Sequence, residues 1–120
     1  HGDRMDPRLA EQCTRGLAVQ GSDYAAAQAL AAECRAQLPD VFGECDVLLA
    51  AAAPGEAPRG LESTGDPIMN GVWTLLYTPC VSVTAGSGPM GLPVGLQVVG
   101  RIADDARTLS AADWIAAHLG

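Results

Sequence analysis

Acyl transfer needs a nucleophilic hydroxyl or thiol and a base to take its proton. This sequence is short of bases. It has no lysine, since all seven basic residues are Arg, and its two histidines are His1 and His118. The cysteines Cys13, Cys34, Cys45 and Cys80 form no C-x-x-C pair and no Cys/His cluster of zinc spacing. They read as small buried thiols of a reducing compartment. Cys80 with His118 is a Cys–His couple to weigh, but a histidine at the negative end of a helix dipole is the ordinary reading of His118. The adjacent acids Asp104 and Asp105 suit a helix start better than an acid/base pair. The run Ala85-Gly86-Ser87-Gly88, with Gly91 and Gly95 beyond, leads into no helix and no G-K-[ST]. A turn between two strands explains it. No catalytic residue, metal set or cofactor is assigned to this chain.

The polar residues suited to touching a ligand lie close together. Asp66, Asn70, Trp73 and Thr74 fall along one edge of a predicted helix, where spacings of three and four make Asn70 a neighbour of Trp73 and Thr74. They are the candidate substrate-binding residues. Each has a plainer role beside it. Asp66 before Pro67 is an N-cap, and Trp73 is a core side chain. Asn70 stands inside an apolar helix and must find partners, in the Thr64–Gly65 loop or in a ligand. Gln97, polar within a strand, raises the same question.

The elements that position these residues follow from periodicity and punctuation. Asp66-Pro67 opens a helix from Ile68 to about Tyr77, and Thr78-Pro79 stops it. A strand at Cys80–Val83, a loop from Ala85 to Pro93 and a strand at Val94–Val99 come next. In that second strand Val94, Leu96 and Val98 point one way and Gly95, Gln97 and Val99 the other. Upstream, Asp6-Pro7 opens a helix to about Arg15 with Gly16 as its stop. Ser22 or Asp23 caps a longer helix that places Tyr24, Ala27, Leu30, Ala31, Cys34 and Leu38 on the core face, and Pro39 interrupts it. Val47-Leu48-Leu49 reads as a buried strand, and Ala50 to Leu61 as an extended loop. A last helix from Asp104-Asp105 buries Ala106, Leu109, Ala112, Ala116 and Leu119, widened by Trp114 and Ile115. The order is α, α, β, α, β, β, α. The segments are helical 1–45, strand and loop 46–65, helix–strand–loop–strand 66–100 and helix 104–119, in one segment 1–120.

Composition bounds the partners. A hydrophobic fraction of 48% with 18% charged residues is that of a globular chain. The net charge of −7 argues against nucleic acid and against an acidic membrane, because phosphates need a basic patch. No apolar run reaches the roughly 18–20 residues of a membrane span. The opening His1-Gly2-Asp3-Arg4 begins abruptly, as a piece of a longer chain would.

From about Asp23 onward, motifs recur in a recognisable order: D-V-L-L, A-P-G-E-A-P, T-G-D-P, W-T-L-L-x-x-P-C-V-S-V, G-L-P-V-G-L-Q-V-V-G-R and D-D-A-R-T-L. Together they resemble the C-terminal part of amidase signature family hydrolases. The resemblance implies an α/β fold, a partial α/β/α layer of the amidase type. Its small mixed sheet would contain an antiparallel strand pair under about four helices. It implies a cytoplasmic parent enzyme that hydrolyses a carboxamide C–N bond through a serine acyl-enzyme, using a serine, a second serine in a cis peptide and a lysine. The nucleophile of the family lies upstream of the matched region, so this segment would complete the sheet and line the pocket. Alone it would be inactive. Its expected partners are the missing N-terminal catalytic portion and a small amide substrate; a homodimer of the full enzyme is left open. The alternatives are a non-catalytic subunit or binding domain on the same fold, or an inactive remnant. Thr84 in place of the family's Pro and Ala50 to Ala53 without an interrupting Pro loosen the backbone without requiring a different fold. Met69 in place of Phe and Tyr77-Thr78 in place of small residues alter pocket shape and leave the substrate unidentified.

Overall fold

A computed structural model describes residues 4–119. Its elements are α1 (Pro7–Leu17), α2 (Gly21–Phe42), β1 (Leu48–Ala51), α3 (Ile68–Leu75), β2 (Cys80–Ser87), β3 (Pro93–Val99) and α4 (Asp105–His118). This is the predicted order. Two units are distinguished, His1–Glu33 and Cys34–Gly120, with the boundary inside α2.

In the first unit the Asp6 carboxylate caps α1 by accepting the Arg8 N–H at 2.8 Å. The helix passes its expected stop at Gly16 and ends at Leu17, because Gly16 keeps a negative φ and so does not turn the chain. No α1 residue is buried. The predicted core face of α2 needs correction. Tyr24 and Leu30 are each 61% exposed, while Ala31 is buried. Alanine and leucine surround this helix on all sides, so periodicity alone does not fix which face turns inward.

In the second unit α2 runs through Pro39 to Phe42 instead of ending there. A proline removes one N–H bond but does not bar the turn when later residues hold it. Here Leu38 and Phe42 anchor it in the core, and Gly43, at φ +52°, donates its N–H to the Pro39 carbonyl at 3.0 Å.

The sheet has the order β1-β3-β2, with β3 in the middle and both pairings antiparallel. The expected antiparallel strand pair is β2–β3. The sheet is not mixed, however: β1 and β2 run the same way, but β3 lies between them, so no parallel neighbours arise. β1, expected to be a buried strand, is an edge of the described sheet, and Leu49 is exposed. β2 extends to Ser87 by a bulge between Thr84 and Gly86, which shortens the expected loop.

Cross-strand partners share a face. On one face Leu48 and Val99 join Leu38, Phe42, Leu76 and Trp73 in the core. On the other, Leu49 lies with Ala111, Trp114 and Ile115 of α4 around a cavity of about 420 Å³. Helices therefore cover both faces, an α/β/α layering. Of the predicted stripe of α4 only Ala112 is buried, joined by Thr108, which was not predicted; Leu109 and Trp114 are exposed. Gly100 sets this phase. A Cβ there would collide with the Thr108 side chain, so the helix seats Thr108 where only a glycine backbone leaves room. Arg101 then donates to the carbonyls of Gly43 and Cys45 at 2.9 and 3.1 Å and holds the end of α2 to the end of β3.

Candidate functional site

At the opposite end of β3 an open cleft of about 1030 Å³ is lined by Asp66, Pro67 and Asn70, by Ser82 and Thr84 of β2, and by two loops. The first loop follows β1 and contributes Ala52 to Pro58. The second joins β2 to β3 and contributes Pro89 and Met90, with Pro93 at the start of β3 beside them. Gly95 lies at the floor, where a Cβ would sit 2.8 Å from both Ala52 Cβ and Ser82 Oγ. β2, β3 and the residue that follows β1 converge there closely enough to require glycine.

Asp66 lies on the rim. Its carboxylate accepts the Ile68 N–H at 3.0 Å, the local bond that starts α3. Asn70 reaches inward. Its Nδ2 donates to the Ala52 carbonyl at 3.2 Å, and its Oδ1 accepts from Gln97 Nε2 at 2.8 Å. A carbonyl can only accept, so Ala52 fixes the orientation of Asn70, and Asn70 in turn fixes that of Gln97. These partners are not the Thr64–Gly65 loop; the sequence posed the questions of Asn70 and Gln97 separately, and one hydrogen bond joins the two. Gln97 is 6% exposed, and among the described residues its Oε1 has no partner.

Trp73 does not line the cleft; it packs against Leu38, Phe42, Leu76 and Val99. Thr74 is exposed and donates to the Asn70 carbonyl at 3.1 Å, a bond within α3. The structure thus brings Asp66 and Asn70 to the cleft and leaves Trp73 and Thr74 outside it.

The most heavily bonded side chain at the cleft is Glu56, which composition and motif reading did not single out. Its carboxylate accepts the Met90 N–H at 3.0 and 3.1 Å on its two oxygens and the Leu92 N–H at 2.8 Å on Oε1. The signal available was its place in A-P-G-E-A-P, an acid between two prolines.

The remaining reactive groups do not converge on a reaction centre. Contrary to expectation, all four cysteines are exposed and free. Partial burial of its sulfur pushes the Cys80 thiol above its ordinary value, and a hydrogen bond with Thr78 only partly opposes this. That is the wrong direction for a nucleophile. His118 stacks on Trp114, centroids 4.2 Å apart, and its Nδ1 lies 2.7 Å from the Trp114 carbonyl, so no Cys80–His118 pair forms. Arg107 bonds Asp46 at 2.8 Å and Asp104 at 3.0 Å, and both carboxylates raise its affinity for the proton, Asp46 the more. Among the described residues no group of three His, Cys, Asp or Glu could hold a metal, and no helix is long and apolar enough to cross a membrane.

Known proteins bear on this arrangement. The family described as Amidase matches residues 2–109. A glutamyl-tRNA(Gln) amidotransferase subunit of Ralstonia nicotianae is 38% identical over 89 residues, which cover 62% of this chain and 18% of that protein. The corresponding subunit of Parvibaculum lavamentivorans is 38% identical over 96 residues, 74% of this chain and 20% of that protein. The chain therefore spans about a fifth of the length of the curated relatives it matches. A crystal structure of an amidase superposes with a TM-score of 0.84 at 30% identity, covering 100% of this chain and 30% of the amidase. A second structure, described with a vestigial protein complex and the evolutionary origins of an s-triazine catabolic enzyme, superposes at 0.83. At 21% identity it speaks for the fold alone.

Proposed function

The chain belongs to the amidase family, and from that premise we propose that it is the C-terminal flank of an enzyme that hydrolyses a carboxamide C–N bond. In this reading the attacking serine and its lysine-dependent base belong to a preceding portion of the polypeptide. The present segment completes the sheet and forms one wall of the substrate pocket. Asp66 and Asn70 stand at the mouth and floor of that wall, and Gln97 backs Asn70 from below. Water is the final acceptor after a serine acyl-enzyme.

One observation carries the reading. The whole chain superposes on 30% of an amidase, and its sequence contains no lysine for the base. The test is ammonia release from small aliphatic and aromatic amides. The 120-residue chain alone is expected to release none, and a polypeptide extended upstream through a Gly/Ser-rich segment and a lysine is expected to release it. Hydrolysis by the short chain, lost on substituting one of its own residues, would contradict the proposal.

A second reading rests on the relatives named as amidotransferase subunits. The parent would then free the amide nitrogen for transfer to another acceptor. Ammonia release that rises only when an acceptor protein or its substrate is added would favour that route over simple hydrolysis.

A further inference from the structure

We propose that Glu56 is a positioning residue that sets the shape of the cleft by pinning the turn between β2 and β3. The proposal rests on the reading of this cleft as part of an amide pocket. The two loops that wall the cleft belong to no common strand, and they meet through this carboxylate. Met90 and Leu92 present their backbone N–H groups to it from a turn closed by its own bonds, Gly88 N–H to the Leu92 carbonyl at 2.9 Å and Gly91 N–H to the Gly88 carbonyl at 3.0 Å. Gly91 sits at φ +81°, which lets the turn direct both groups to one side. An ionised carboxylate receiving backbone N–H groups makes the stronger class of hydrogen bond.

Gly88 supplies the second, independent observation. A Cβ on it would lie 2.5 Å from both Cγ and Cδ of Glu56. The turn is thus shaped around this side chain. The residues of this turn that line the cleft, Pro89 and Met90, carry no side-chain proton to transfer. Its effect therefore falls on substrate fit and the choice among acyl groups, not on bond cleavage.

The experiment uses the full-length enzyme with E56A, E56Q, G88A and the E56A/G88A double variant. Steady-state kinetics on propionamide and benzamide are paired with hydrogen exchange at the Met90 and Leu92 amides. E56A is expected to raise KM about tenfold, the scale of one or two charge-assisted hydrogen bonds, with kcat nearly unchanged and the benzamide-to-propionamide preference altered. Both amides should lose protection. E56Q should fall between wild type and E56A. Its Oε1 can still accept from both N–H groups, whereas the charge is lost and an amide N–H replaces the Oε2 acceptor 3.1 Å from Met90 N. G88A should reproduce E56A, and the double variant should be no worse than E56A. Unchanged amide protection in E56A, a fall in kcat at constant KM, or full additivity of G88A with E56A would overturn the proposal. Should the wild-type enzyme hydrolyse neither amide, the amidase reading fails, while exchange at Met90 and Leu92 still decides whether Glu56 holds the turn.

Discussion

Toward its C-terminal end β3 carries Val98 and Val99, both 0% exposed, and runs into Gly100, whose backbone lies against Thr108. Toward its N-terminal end the same strand carries Pro93 and Gly95 and opens on a cleft. The buried end is held by apolar contact from Leu38, Phe42 and Leu76 and by the Arg101 bonds to two carbonyls. The open end is held by amides and one carboxylate, through Asn70, Gln97 and Glu56. Apolar packing is easy to specify and intolerant of changed volume. Polar bracing near solvent contributes less per contact, but it fixes the direction of groups that a ligand must meet. The contrast teaches that one strand can serve as foundation at one end and as site at the other. Substitutions should therefore divide into those that unfold and those that reshape.

The largest effect expected at the buried end is from Phe42→Ala. It leaves a cavity beneath Val99 and should lower stability by about 3–5 kcal/mol in urea unfolding of the full-length protein. Loss of less than about 1 kcal/mol would mean that the core is not organised around this ring. Gly100→Ala comes next, at about 1–3 kcal/mol, because Thr108 must move away from the new methyl group. Adding Thr108→Ala should restore part of that loss, whereas two independent losses would dissolve the contrast at this end. At the open end, Asn70→Ala strips a buried amide of its partner and should cost about 1–3 kcal/mol. Asn70→Ala with Gln97→Leu should cost less than the sum of the two, since an apolar pair leaves no orphaned group. The smallest effect concerns Cys80. Its raised thiol value predicts slower alkylation near neutral pH than in the unfolded chain, with the rate inflection displaced to higher pH. Equal rates in folded and unfolded protein would show that its surroundings are open.

Much of the fold could be read from local signals. Asp6-Pro7, Asp66-Pro67 and Thr78-Pro79 mark boundaries found within a residue or two of their predicted places, because capping and proline sterics act over one turn. Tyr77 sits at φ +60°, and the Arg35 guanidinium stacks on its ring at 4.0 Å. No local rule predicts that contact. The facing of α2 and α4 departs from prediction for a related reason. Their alanine-rich surfaces carry weak phase information, and single contacts such as Gly100 against Thr108 settle it.

By itself, then, the sequence determined the succession of helices and strands, the want of a base, and the pairing of a polar Asn70 with an apolar helix that obliged it to find partners. The tertiary structure alone decided that those partners are Ala52 and Gln97, that Trp73 turns to the core and not to the cleft, and that Glu56 joins two loops 34 to 36 residues apart. The reason is range. Caps, turns and periodicity are written in neighbouring residues, whereas a hydrogen bond between distant loops depends on where the whole chain has already placed both ends.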